Sequence, residues 1–234
     1  SDGNQSWIRQ FGTAGEDEVV SIQSGGKGNI FVGGYVSGEL PGHTNLGGND
    51  GYVRNYDPYG NELWTRQFGS SADDRVLGLT ADNDGNVYVV GSVGGTLTDQ
   101  INLGSTDAFI RKYDPDGHVL WTQQFGTSGK DQALGVQIDS ENNTIYLVGI
   151  TDKPLPGFSK VGGAFDGFLR QYDHQGNEIE TRLIGSLGSD VAFGTAVDKE
   201  GHVYVVGWTS GSLTGQSNLG KIDAFVIKLP RNDR

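Results

Sequence analysis

The stretch Asn61–Gly91, NELWTRQFGSSADDRVLGLTADNDGNVYVVG, decides the fold. It reads as a strand carrying Trp64, a glycine-led turn, a second strand, an Asp/Gly hairpin and a third strand of Val and Tyr. It also returns. NELWTRQFG (61–69) becomes HVLWTQQFG (118–126) and then NEIETRLIG (177–185), and QSWIRQFG (5–12) is a fourth copy. The closing glycine stands at Gly12, Gly69, Gly126 and Gly185, at spacings of 57, 57 and 59 residues. An Asp follows each glycine by five residues, at Asp17, Asp74, Asp131 and Asp190, and another opens a later strand at Asp50, Asp107, Asp166 and Asp223. A fixed period with marked residues in register means one supersecondary unit, repeated, that buries its faces on its neighbours. Residues 1–234 are therefore expected to form a single domain of four repeats.

Working outward, each repeat holds four strand-like runs. The first follows the leading Asp: EVVSIQS (18–24), RVLGLTAD (75–82), QALGVQID (132–139) and VAFGTAVD (191–198). The second is nearly all apolar, as in VYVVG (87–91) and IYLVG (145–149), the pattern of a strand covered on both faces. The third is GYVRNYD (51–57) and its counterparts, and the fourth carries the Trp. No segment shows a helical period with caps. The first-to-second and third-to-fourth connections are tight Asp/Gly hairpins such as DNDGN (82–86) and DPDGH (114–118). The second-to-third connections are long, and they share one face with the glycine-led loops. A four-stranded meander repeated around a ring is a β-propeller blade. The last repeat supplies only three strands, and the spare strand, Trp7–Phe11, lies at the other end of the chain. The sequence thus predicts an all-β, four-bladed propeller whose last blade is closed by the N-terminal strand pairing with Asp223–Leu229. Ser21, Gly78, Gly135 and Gly194 are small enough to line a crowded axis.

Lys+Arg is 17 against 29 Asp+Glu, a formal charge of −12. That balance argues against nucleic-acid partners and anionic membranes, whose phosphates attract basic patches. No apolar run of about 18 residues is present, so membrane insertion by a helix is not expected. With zero Cys there are neither disulfides nor thiol chemistry. The chain also holds no Met, which reads as a processed or excised form whose missing start is where a signal would lie.

Asp107–Thr127, DAFIRKYDPDGHVLWTQQFGT, resembles the SBBP repeat, a seven-bladed-propeller-type repeat of bacterial secreted proteins, and the likeness extends over nearly the whole chain. It implies the propeller fold and an extracellular or cell-envelope location in a bacterium. The blade number it suggests differs from the four counted here. A fold does not name a function.

Asp17, Asp74, Asp131 and Asp190 start the innermost strands. Converging on the axis, they would hold a hard cation such as Ca²⁺ through oxygen ligands. Capping their own loops, they would accept backbone N–H bonds instead. Trp208, in the slot of Tyr35, Ser92 and Ile150, stands where a long loop begins. An aromatic there would stack on a ligand or pack on its own loop. With Tyr35, His43, Asp50, Asp107, Asp166 and Asp223 it makes up the candidate ligand face on the long loops. GQSNLGKI (215–222) nearly matches a phosphate-binding loop, but Ile222 stands where Ser or Thr must bind Mg²⁺. No Ser, Cys or His-metal catalytic motif is present. The reading is a non-catalytic ligand-binding or scaffolding module with a glycan or protein ligand, either a domain of a larger protein or an oligomer. The alternatives are an enzyme using the aspartates and aromatics of that face, and a structural or assembly protein.

Overall fold

The computed structural model describes residues 3–230. Fifteen strands form four antiparallel sheets, and the one helical segment among the described residues is the short turn Gly26–Gly28. The first blade is β1 (Asp17–Ser24), β2 (Ile30–Val36), β3 (Asp50–Tyr56) and β4 (Glu62–Phe68). The second is β5 (Asp74–Ala81), β6 (Val87–Val93), β7 (Asp107–Tyr113) and β8 (Val119–Phe125). The third is β9 (Asp131–Asp139), β10 (Thr144–Thr151), β11 (Asp166–Asp173) and β12 (Glu178–Ile184). The fourth has three strands, β13 (Asp190–Val197), β14 (Val203–Thr209) and β15 (Asp223–Leu229). In each blade the strands pair in chain order, the up-and-down meander that the hairpin chemistry predicts.

The core lies between blades. Phe31, Val53 and Phe68 of the first blade are buried in one cluster with Val76, Val89 and Phe109 of the second. Gly33 lets the sheets meet: a Cβ there would lie 2.8 Å from Val76 and 2.9 Å from Leu79. The inner strands carry a bulge at the same place in every repeat, leaving Val20, Leu77, Leu134 and Phe193 out of the ladder. A bulge raises local twist and bends the strand. The residue after it is Ser21, Gly78, Gly135 or Gly194, and here successive blades touch. A Cβ on Gly78 would stand 3.0 Å from the Leu134 carbonyl, and one on Gly135 would stand 2.6 Å from the Phe193 carbonyl. The crowded inner line expected from the small residues is thus present.

The expected closure is not. β1 packs on β5, β5 on β9 and β9 on β13, but no comparable packing joins β13 to β1. Trp7–Phe11 forms no ladder with β15. Its side chains nevertheless behave as those of a fourth strand toward the blade that follows. The Trp7 indole N–H donates to the Pro58 carbonyl at 3.2 Å, as Trp64 does to Pro115 at 2.8 Å. The Arg9 Nε–H donates to Gly60 and the Arg66 Nε–H to Gly117, both at 2.7 Å. The Arg54 guanidinium lies 3.9 Å above the Phe11 ring, as Arg111 lies 4.4 Å above Phe68 and Arg170 lies 4.0 Å above Phe125. Side-chain contacts with the first blade hold the segment at the start of the row. Its reach ends there, and the four blades form an open arc.

Candidate functional site

The long connections and the glycine-led loops do share one face. The Gly48 N–H donates to Ala72, the Asp131 N–H to Thr106 and the Ser210 N–H to Ser189, each bond tying a long loop to the neighbouring short one. The eight aspartates organise this face from beneath. Asp17 accepts from Thr13, Asp74 from Ser70, Asp131 from Thr127 and Asp190 from Ser186, in each case from both the backbone N–H and the hydroxyl. Asp50, Asp107 and Asp223 accept the backbone N–H of Leu46, Leu103 and Leu219 at 2.9, 2.7 and 2.6 Å. Asp166 accepts from Val161 and Gly162.

These bonds bear on the axial cation. Asp74 has both oxygens engaged, Oδ2 by Ser70 and Oδ1 by the Gly94 N–H, and both oxygens of Asp190 are engaged by Ser186. Each carboxylate is turned into its own loop, and the four do not assemble a shared donor set. The residues therefore do not fit an ion on the axis. Among the described residues, the acidic groups that do come together are hairpin turns: Asp114, Asp116 and His118, and Asp198, Glu200 and His202. Their Asp side chains accept the backbone N–H groups of those turns, the hairpin role read from the sequence.

Two aspartate pairs meet across glycines. Asp50 Oδ1 and Asp74 Oδ2 each lie 2.6 Å from where a Gly69 Cβ would be. Asp107 Oδ1 and Asp131 Oδ2 flank Gly126 in the same way, at 2.8 and 2.7 Å. All four carboxylates are fully buried, and Asp50 Oδ1 and Asp107 Oδ1 have no hydrogen-bond partner. Burial, together with the neighbouring Asp50 charge, pushes Asp74 up to about 6. Asp131 is raised for the same reasons, with Asp107 as its neighbour. Both have no exposed surface. A groove of ≈ 720 Å³ lies between β12 and the outer edge of the last blade, among Leu183, Leu213, Leu219, Phe225 and Val226.

The remaining sequence candidates are scattered. His43 is held by its own surroundings, Nδ1 on Pro41 and Nε2 on the Thr65 carbonyl. Tyr35 bonds Glu18, and the Arg75 guanidinium of the second blade sits 4.6 Å over its ring. That side of β2 faces the next blade. Trp208, the counterpart of Tyr35, therefore points toward the open end of the arc rather than over the loops. Asp50, Asp107 and Asp166 are buried and position the loops from within. The sequence reading did not single out the loop residues whose N–H groups Asp50, Asp107 and Asp223 accept: Leu46, Leu103 and Leu219 are 52, 48 and 90 % exposed at equivalent loop positions. Ile101, Phe158 and Leu187 add further apolar surface on the same face. The repeated Asn-Leu-Gly in HTNLGG, QINLGS and SNLG was the available signal.

With the blades and loops in place, comparison with known proteins agrees. The SBBP beta-propeller repeat family matches residues 63–95 and 120–156. Each matched segment, from β4 through β6 and from β8 through β10, is similar to the SBBP beta-propeller repeat. Among curated proteins, the chain is 29 % identical over 187 residues to the regulatory protein FlaEY of Caulobacter vibrioides, covering 71 % of the chain and 20 % of that protein. It is 28 % identical over 142 residues to an uncharacterised WD repeat-containing protein of Acanthamoeba polyphaga mimivirus, covering 52 % of the chain and 10 % of that protein. The chain thus spans a fifth or less of the relatives it matches. One of them is viral, so the bacterial restriction expected from the SBBP resemblance is not carried, and the seven-blade count has no support in four sheets.

Proposed function

We propose that this SBBP-repeat arc is a non-catalytic binding module whose long-loop face takes a protein ligand through apolar contacts. The recurrence of Leu46, Leu103 and Leu219 carries the reading. A leucine kept only for packing is buried, whereas these three are exposed and each has its N–H accepted by an aspartate at the start of the next strand, Asp50 and Asp107 fully buried and Asp223 half-buried. Fixing the loop backbone lowers the ordering cost of binding. Exposed aliphatic side chains repeated on one loop face fit a protein contact better than a sugar site, which favours aromatic platforms. FlaEY, by name a regulatory protein, is compatible with a module that acts by binding.

The test is panning of a random peptide display library against the chain and against a Leu46→Asn, Leu103→Asn, Leu219→Asn variant. Apolar peptides enriched on the parent and at least about tenfold weaker on the variant, ~1.4 kcal/mol, are expected. Specific binding to a glycan array by parent and variant alike would overturn the reading.

A further inference from the structure

The two ends of the arc are unlike each other and complementary. At the C-terminal end Val206 and Val226, paired across β14 and β15, are 46 and 68 % exposed. Their counterparts in the first blade are Gly33 and Val53, and Val53 is fully buried against the second blade. At the N-terminal end Val19 and Ile22 of β1 are 51 and 68 % exposed. Their counterparts in β5, Val76 and Leu79, are 0 and 6 % exposed because they pack on the preceding blade. The ends are therefore the two halves of the junction that recurs inside the chain. The backbone shows the same split. The outer edge of β15 has no strand partner among the described residues, and Trp7–Phe11 has the side-chain contacts of a fourth strand without a sheet to join.

We propose that the open β13–β15 end docks a second copy of this chain, which inserts its Trp7–Phe11 as the fourth strand of the last blade and lays β1 against β13 and β14. The occupant follows from the junctions already built: β4, β8 and β12 fill this groove in the other blades, and β5, β9 and β13 cover the face beside it. The N-terminal end of this chain presents both parts together, with Trp7–Phe11 held against the first blade by side-chain contacts. Register follows the first blade, where Gly51, Val53 and Asn55 oppose Phe68, Arg66 and Trp64. Ala224, Val226 and Lys228 of one copy then oppose Phe11, Arg9 and Trp7 of the other. The contact is head-to-tail, so copies close into a ring or extend as a row. An uncovered edge strand beside apolar surface is otherwise an aggregation hazard.

The chain has no Cys, so introduced thiols report cleanly. Arg9→Cys and Val226→Cys are made in separate chains, mixed and oxidised, and also combined in one chain. A disulfide between the two different chains, and a sedimentation mass above that of one chain for the unmodified protein, are expected. Val226→Lys, at an exposed position that leaves the monomer fold intact, should weaken association about tenfold or more, ~1.4 kcal/mol. A monomer at all concentrations overturns the proposal. So does a double variant cross-linked only within one chain, which would mean that the chain's own N-terminal segment reaches β15. Unchanged association of Val226→Lys would also overturn it, by placing any oligomer contact elsewhere.

Discussion

At the residue scale, the aspartates combine two roles that pull against each other. A carboxylate caps its loop best when charged, yet Asp74 and Asp50 face each other without solvent. The result is a native Asp74 that titrates near 6, against an ordinary value of 3.8. Between those values the native state binds more protons than the unfolded chain, so stability falls as pH rises. Acidification from pH 7 to about 4.5 should therefore stabilise the protein through Asp74 by at most ~2 kcal/mol, since only about 1.5 pH units of the interval between the two values fall in that window. Asp57 and Asp198 act oppositely but lower. The Asn61 side chain leads the hydrogen bonds that hold Asp57 down. At Asp198 burial pushes up, but bonds from His202 and Tyr204 outweigh it and leave the group at about 2. Their contribution is lost only below about pH 4. Urea unfolding across pH 4.5–7.5 checks the sign. Asp74→Asn should raise stability at pH 7.5 and flatten the profile, and a profile that rises with pH would show that the pair is not the controlling group. Gly135 gives a second residue-scale prediction. Its missing Cβ would stand 2.6 Å from the Phe193 carbonyl and 3.3 Å from the Gly194 Cα, both backbone atoms of the neighbouring inner strand. Gly135→Val should cost about 1–3 kcal/mol or more by overpacking, read as a lower urea midpoint.

At the element scale, the fourth strand was the most legible part of the sequence and its N-terminal copy the least. Trp64, Arg66 and Phe68 in β4 repeat as Trp7, Arg9 and Phe11, so the role of the segment could be read from its residue types. Its backbone partner could not. Strand counting assumes that a spare strand meets a vacant edge in the same chain, whereas pairing also requires the blade rotations to sum to a full turn, which residue pattern does not encode. The bulges were illegible for a similar reason: Leu77 and Leu134 look like ordinary strand residues, and the register shift shows only once the partner strand is placed. Of the aspartates read as candidate ligand residues, Asp50, Asp107 and Asp166 lie buried beneath the loops, because residue type alone does not distinguish a loop-capping Asp from one facing a ligand. The difference between covered and uncovered copies is measurable. Phe68 is buried between blades and meets Phe109 edge-to-face at 5.6 Å, whereas Phe11 makes the matching edge-to-face contact with Tyr52 but is only half-buried. Phe68→Ala should cost about 3–5 kcal/mol and Phe11→Ala clearly less, because the smaller burial leaves a smaller cavity. Equal midpoints for the two variants would mean that the N-terminal segment is sealed in solution as tightly as β4.

At the scale of the whole molecule, an open arc has a middle and two ends. Stability in a repeat array is approximately a sum of unit and junction contributions. The second and third blades have a junction on both sides, and β6, β7 and β10 are buried almost throughout. The first and fourth blades each have one junction, and β15 alternates between half-buried and exposed residues. Amide hydrogen exchange should follow that order. β6, β7 and β10 should exchange only through global unfolding, while β15 and the outer side of β1 should exchange through local opening at lower free energy. The same measurement separates the isolated arc from an assembled one. Pairing of β15 with a second copy would place its outer amides in a ladder, and its protection would then rise with protein concentration by mass action. Protection of β6 would not change. Slow, concentration-independent exchange at β15, equal to that at β6, would mean that the ring is closed within one chain and that the ends meet in solution.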